Sequence, residues 1–434
     1  MFGFSSKSQR RGARATVQRV VVVGSGDGGT FTANLLASEL HGEIRGGLAS
    51  VQLVGEHLKH PFQPGNLDIA FKGADPKKYV RDETELLRKG VDFVQDPAVK
   101  IDYGSSSVTT KSGRVLGYDF LVIATGAVAD PLKVPGLAEG SMNFHTGWKD
   151  SQHVWEALQK FEEGTVVVAI VGTPHKCPPS PDEAAFMLDE FFRERGIRDK
   201  VKIKFLTPYP RPYPAEKISK VVEPMFQEKG IEVSTFFNTD AVDPKEHKIY
   251  SLEGEAIGYD LLIAIPPHHG AAVIINSGIG DEDGYVPTDK GTMQVVGQKV
   301  VYCIGDATNI PVSKSGVVAH LQSVVVAHNI VAEIEKSGDL LEYNGRINCP
   351  MEVGHHRAIF VSATYTSPPT DQTPSLMKYY MKRSFAMIYW RALNGSLERI
   401  FDVFFGKTRF PLSKPPEPEE RTITVNVTGG KTNA

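Results

Sequence analysis

At 434 residues, 41% of them apolar and 23% charged, the chain is long enough for two or three cores. A formal net charge of −3 and the lack of like-charge blocks exclude a nucleic-acid tail, so no nucleic-acid partner is expected. Three cysteines, Cys177, Cys303 and Cys349, are too few and too scattered for a disulfide scaffold or a zinc site; no metal centre is expected, and a reducing compartment is.

Residues 1–16 contain an Arg-Arg pair with no apolar stretch behind it, and read as a disordered basic arm rather than an export signal. No run of 18 or more apolar residues occurs later in the chain. Any membrane association is therefore expected to be peripheral (monotopic), on a side the sequence does not fix. Buried-strand patterns recur at 20–23, 51–54, 120–124, 166–171, 203–206, 261–265 and 300–304, with helical patterns between many of them. This order predicts an α/β chain of two Rossmann-like, three-layer domains with right-handed parallel crossovers. Two strand-glycine-helix openings, at Val20 and Val166, lie about 145 residues apart, the period of a duplicated domain. The expected boundaries are 17–130 together with 266–338 for the first domain, and 131–265 for the second.

The first opening, VVVVGSGDGGTF, sets Gly24, Ser25, Gly26 and Gly29 in a GxGxxG turn between strand and helix. Such glycines let a pyrophosphate approach the backbone, and the free N–H groups of the helix start attract its charge. Glu56, at the end of the next strand, is placed to accept from a ribose 2′-hydroxyl. The second opening reads GTPHKCPPSPDEA, residues 172–184. Its prolines remove the donors and the conformational freedom a phosphate cradle needs, so no nicotinamide dinucleotide is expected there. Cys177, between a lysine and a proline and ahead of a helix, reads as a reactive thiol, because a helix N-terminus favours a thiolate. Glu183, six residues on, reads either as a proton handler or as an acid favoured by the helix dipole. Cys303, inside an apolar strand, reads as a small buried hydrophobe.

From Asp339 the pattern changes to short antiparallel strands, opening a third module over 339–410 that carries Cys349 in the polar segment YNGRINC. Residues 376–405 mix aromatics, Met and Leu with Lys378, Lys382, Arg383, Arg391 and Arg399. That mixture suits amphipathic helices in a headgroup layer, with Phe385, Tyr389, Trp390, Phe401 and Phe404 on the membrane or acceptor side. Packing against the core or a dimer contact is the other reading. Residues 411–434, rich in Pro, Glu, Thr and Gly, read as a flexible tail.

A strand ending in Ala124-Thr125-Gly126, and another ending in Gly305-Asp306 ahead of a helix at Gly316, resemble the paired signatures of a flavoprotein superfamily. It is the two-dinucleotide superfamily of disulfide reductases and type II NADH dehydrogenases. The resemblance implies FAD, held by Gly24, Ser25, Gly26, Gly29, Glu56, Val99, Ala124, Thr125, Gly126, Gly305, Asp306 and Gly316, with Lys314 near the flavin pyrimidine. KCPPSPDEA and YNGRINC further resemble the two cysteine segments of sulfide:quinone oxidoreductases, and this likeness runs from about Val20 to Gly406. It implies that Cys177 and Cys349, 172 positions apart, pass sulfur at a flavin face. Sulfide would be oxidised to sulfane sulfur or polysulfide and the electrons given to a membrane quinone, by a homo-oligomer. Many members carry a third cysteine where this chain has His145, which reads as a base or as a turn cap. A flavocytochrome-type sulfide dehydrogenase with a cytochrome acceptor, a type II NADH:quinone dehydrogenase, and a flavin-binding scaffold without turnover remain as alternatives.

Overall fold

The computed structural model describes residues 17–370, 372–396 and 409–411. The predicted arm at 1–16, Phe401 and Phe404, and the tail beyond Pro411 lie outside the described residues. The first part of the chain runs β1 (Gln18–Val23), α1 (Asp27–Glu39), β2 (Ala49–Gly55), β3 (Val91–Gln95) and β4 (Phe120–Ile123). The second repeats the opening with β5 (Gly164–Ile170), α2 (Ser180–Glu194), β6 (Val201–Leu206), β7 (Ile231–Ser234) and β8 (Leu261–Ile265). The chain then supplies β9 (Val301–Cys303), α3 (Gly316–Glu335), the pair β10 (Ile347–Gly354) and β11 (Arg357–Ala363), and α4 (Leu376–Leu393).

Two parallel sheets result. The first has the order β9-β4-β1-β2-β3 and the second β7-β6-β5-β8. In each, the opening strand is central: Val20 faces Val51 and Phe120, and Val166 faces Ile203 and Leu261. β1 and β5 are runs of β-branched residues with Val20, Val21, Val22, Val166, Val167 and Val168 wholly buried, as a parallel sheet covered on both faces requires. The strands expected from the apolar runs all form. The edge strands β3 and β7 and the two antiparallel meanders at 98–117 and 239–258 escape the sequence pattern, because their residues alternate between buried and exposed. Each meander precedes the strand that returns to its sheet, so the duplication extends to the insertions.

α3 is long and apolar enough to cross a bilayer by composition, yet most of it is buried within the fold. It lies on α1, with the Ser323 hydroxyl donating to Gly28 O at 3.1 Å, and Ser315 caps its start by accepting from Val318 N–H. β10 and β11 pair antiparallel through a two-residue turn in which His355 and His356 both have positive φ, 50° and 52°, the geometry of a tight hairpin. This hairpin packs on α2 from one side and carries α4 on the other. It brings Cys349 from the third module to the second opening.

Candidate active site

A cavity of about 660 Å³ runs from the glycine turn of α1, past both half-sheets, to the inner side of α4. Its first wall is the dinucleotide cradle. A Cβ on Gly29 would lie 1.7 Å from Gly24 O, and one on Gly24 would lie 2.4 Å from Ala124 O, so both positions require glycine for chain packing. A Cβ on Gly26 would meet nothing among the described residues within 4 Å and would stand in the cavity. Ser25, Glu56, Ala124, Thr125, Gly126, Gly305, Asp306, Lys314 and Gly316 line the same space. Val99 does not: it is 38% exposed, and the neighbouring Pro97 and Ala98 face the cavity instead. Two buried polar atoms here, Thr125 Oγ1 and Asp306 Oδ1, have no partner among the described residues. Buried polar atoms are almost always hydrogen-bonded, so these two mark where a polar ligand sits, and a ribityl-phosphate chain fits them. The residues present therefore fit FAD.

Lys314 is held more firmly than its loop position suggests. Its ammonium donates to Asp306 O at 2.8 Å and Thr308 O at 2.9 Å and lies 3.7 Å from the centroid of the Tyr285 ring. Lys176 also lines the cavity, and burial pushes its ammonium pKa down against the pull of Asp306, Cys177 and Asp27.

The second wall carries the two cysteines expected to react. Both are anchored on one short segment: Cys177 N–H donates to Lys314 O at 2.7 Å, and Cys349 Sγ lies 3.7 Å from Ser315 Oγ and 3.9 Å from Ser313 Oγ. Cys177 takes a positive φ of 54°, uncommon outside glycine, asparagine and aspartate. All three cysteines are free thiols, and Cys303 is wholly buried in β9 away from the cavity. The helix start does not win at Cys177. Burial, with Glu183 and Cys349 nearby, pushes its pKa up to about 12, and burial also raises that of Cys349. The first turn of α2 begins three residues after the sulfur, and its own carboxyl groups offset the dipole.

Glu183 is buried, lines the cavity, and accepts from Glu352 N–H at 2.6 Å. It is also bonded to the ammonium of Lys382, which reaches in from α4. Lys382 lies 3.9 Å from Glu352, Glu352 is paired with Lys72 at 2.6 Å, and Arg383 holds Asp68 through both carboxylate oxygens. The cations assigned to lipid phosphates by the sequence pattern thus turn inward at these two positions. Tyr389 and Trp390 also face inward, 6% and 9% exposed, while Leu376, Met377, Tyr380 and Met387 stay exposed on the outer side of α4.

His145 is 4% exposed, and its Nε2 lies 2.9 Å from Ser180 Oγ. The Ser180 hydroxyl donates to Cys177 O, so its oxygen accepts from His145 Nε2–H. Rings of His175 and His268 lie 6.2 and 5.4 Å from it, and burial holds all three imidazoles below their ordinary pKa and neutral. Pattern reasoning missed His175 and His268, and it also missed Asp27, which lines the cavity, and His60 behind it. Only Asp27, inside the glycine turn, had a sequence signal within reach.

A doubly wound half ending in a glycine cradle, with orphaned polar atoms aimed into it and a pair of thiols across the cavity, is the architecture of a dinucleotide-dependent redox enzyme. Residues 18–329 match the family model described as pyridine nucleotide-disulphide oxidoreductase, and the chain belongs to that family. It is an FAD-binding oxidoreductase. The chain is 27% identical to the mitochondrial sulfide:quinone oxidoreductase of Mus musculus, over 86% of each chain. It is 28% identical to that of Dictyostelium discoideum, over 95% of this chain and 92% of the other. The solved sulfide:quinone oxidoreductase of Aquifex aeolicus has the same fold, with a TM-score of 0.82 at 23% identity, covering 92% of this chain and 98% of that one.

Proposed function

We propose that the protein oxidises sulfide to sulfane sulfur through Cys177 and Cys349 and passes the electrons to a membrane quinone. The observation that carries this reading is the convergence of two thiols, 172 positions apart in sequence, on residues 313–315 beside the flavin cradle. Oxidation of the two free thiols by the same quinone acceptor, with loss of two protons and two electrons, first closes an S–S bridge between them, and hydrosulfide then attacks a sulfur of that bridge. One S–S bond breaks, a persulfide remains on one cysteine, and the other leaves as a thiolate. Recombination of the two lengthens the bridge by one sulfur and releases a proton and two electrons. FAD, held by Gly24, Gly26, Thr125 and Asp306, would accept that electron pair and hand it on. Lys176 and Lys382 bring positive charge to the Cys177 thiolate, and Glu183, held by Lys382, takes up the proton.

A nicotinamide donor is disfavoured by the second opening. The N–H groups of Ser180 and Glu183 are already used by Cys177 O and Pro179 O, and Asp182 and Glu183 bring two buried carboxyl groups into the first turn of α2. On the acceptor side, the aromatic wall of Phe62, Phe385 and Tyr389 suits a flat ring, and the exposed apolar side chains of α4 suit a peripheral membrane contact. The test is anaerobic mixing of the purified flavoprotein with sulfide, and separately with NADH. Bleaching of the flavin by sulfide and re-oxidation by a quinone are expected. Bleaching by NADH alone would sink the proposal.

A further inference from the structure

Behind the aromatic wall lies a buried ion line that nothing in the sulfur chemistry uses. The Phe62 and Tyr389 rings lie 4.4 Å apart, with Phe385 6.2 Å from Phe62. The Tyr389 hydroxyl, at the polar end of this wall, donates to Asp27. His60, whose side chain is wholly buried, lies behind both: Nδ1 is 2.7 Å from Glu83 Oε2, and Nε2 is 2.9 Å from Tyr389 Oη and 3.4 Å from Asp27 Oδ1. The other Glu83 oxygen accepts from Thr30 Oγ1 at 2.6 Å.

Counting donors fixes the proton state. Carboxylates only accept, so Nδ1–H donates to Glu83. Tyr389 has one proton and gives it to Asp27, so its oxygen accepts from Nε2–H. Both ring nitrogens therefore carry hydrogen, and the ring is an imidazolium. The adjoining side chains agree. The edge contact is Trp390 at 6.1 Å, whose own face holds Arg81 at 4.9 Å, and burial, which would lower the His60 pKa, is outweighed by the two carboxylates, which raise it. Of the four groups in the line, only Asp27 and Tyr389 open onto the cavity.

We propose that His60 is the proton store for reduction of the acceptor at the Phe62, Phe385 and Tyr389 wall, reaching an acceptor carbonyl through Tyr389. The inference rests on the quinone reading of the acceptor side. Two electrons released by sulfide reduce the quinone, whose oxygens need two protons. For the first, the Tyr389 hydroxyl turns from Asp27 to the quinone oxygen, its O–H bond breaks as the quinone O–H bond forms, and the Nε2–H of His60 restores the phenol. The imidazole then regains a proton through Asp27, which opens onto the cavity, and a second passage supplies the second proton. A buried cation between two carboxylates is costly unless fully bonded, and this one is bonded on both nitrogens while remaining one hydroxyl from the cavity.

The test uses the holoenzyme with sulfide and two acceptors: a short-chain quinone, which needs protons, and ferricyanide, which takes electrons alone. In Tyr389→Phe, which keeps the ring, the ratio of quinone to ferricyanide turnover is expected to fall about 10²-fold, the usual scale for loss of a positioned acid. His60→Gln is expected to lower the same ratio. Nitrogen NMR of the histidines should show the His60 ring doubly protonated at neutral pH in the wild type. An unchanged ratio in both variants, equal losses with both acceptors, or a neutral His60 ring would each overturn the proposal. A wild type that bleaches with sulfide yet reduces no quinone would instead overturn the acceptor reading, and this inference with it.

Discussion

Replacing Lys382 by methionine tests whether α4 is seated by charge or by grease. The Lys382 ammonium is bonded to Glu183 and lies 3.9 Å from Glu352, with the side chain only 16% exposed. At an effective dielectric of about 20, one such contact near 4 Å is worth about 4 kcal/mol before desolvation is subtracted. Glu352 keeps Lys72, so the loss falls on Glu183, which retains one backbone N–H and no cation. Removing one member of a buried pair costs about 3–5 kcal/mol, and methionine preserves most of the stem's packing, so about 3 kcal/mol is expected. Burial already raises the Glu183 pKa, and without its cation the shift grows. Because the folded carboxyl then holds its proton more tightly than the unfolded one, the penalty should be small near pH 4 and increase as pH rises toward neutrality. Adding Glu183→Gln should recover about 2 kcal/mol by removing the stranded charge. Urea denaturation of the holoprotein by circular dichroism, at several pH values and with the transition slopes compared, reads these differences. A single variant within about 1 kcal/mol of wild type, or a double variant less stable than the single, would refute the reasoning.

Cys177→Ser and Cys349→Ser should each abolish sulfide-dependent bleaching while retaining flavin, whereas Cys303→Ala should bleach normally and lose about 1–2 kcal/mol of stability, read by stopped-flow absorbance and denaturation. Gly26→Ala should fold as wild type but bind flavin about 10–100-fold more weakly, and Gly29→Ala should purify colourless with a disrupted first half; flavin titration of the refolded proteins checks both. The histidines set opposing pH limits. The His60 pKa is raised to about 9, so its contribution is complete below about pH 6.5 and is lost as pH rises through 9, on the order of 3 kcal/mol in all. His175 and His268, lowered to about 4 and about 3, contribute above about pH 6.5 and lose that contribution as pH falls through those values. Their sum predicts maximal stability near pH 6.5, and His60→Gln should flatten the alkaline limb in the same denaturation series.

The parallel core was legible because β-branched runs bounded by glycine have few other uses, and the cradle because Gly24, Gly26 and Gly29 stand in a fixed spacing after such a run. Cys177 and Cys349 were legible as residues, but their meeting on Ser313, Lys314 and Ser315 was not, since no local pattern encodes a contact made by a hairpin from another module. Charge was the least legible property. Lys382 and Arg383 look like surface cations in sequence and are turned inward by Glu183 and Asp68, acids placed 199 and 315 positions away. The thiolate expected from a helix start was likewise overruled, because desolvation depends on the side chains that cover the sulfur and not on the helix that begins after it. His60 carries no signal at all in HLKHPF: its cationic state comes from Glu83, Asp27 and Tyr389, each on a different element.

The shared anchorage of the two cysteines has a geometric consequence. Cys177 is tied by its backbone to Lys314, and Cys349 is fixed in a strand whose partner residue is Val361, so neither end of a sulfur bridge is free to retreat as the bridge grows. On the sulfur chemistry proposed above, each added sulfur would lengthen an arc on fixed posts, bowing toward the cavity that Cys177 and Cys349 line. The span between the posts would then act as a ruler, setting how many sulfur atoms accumulate before the next attack releases the product.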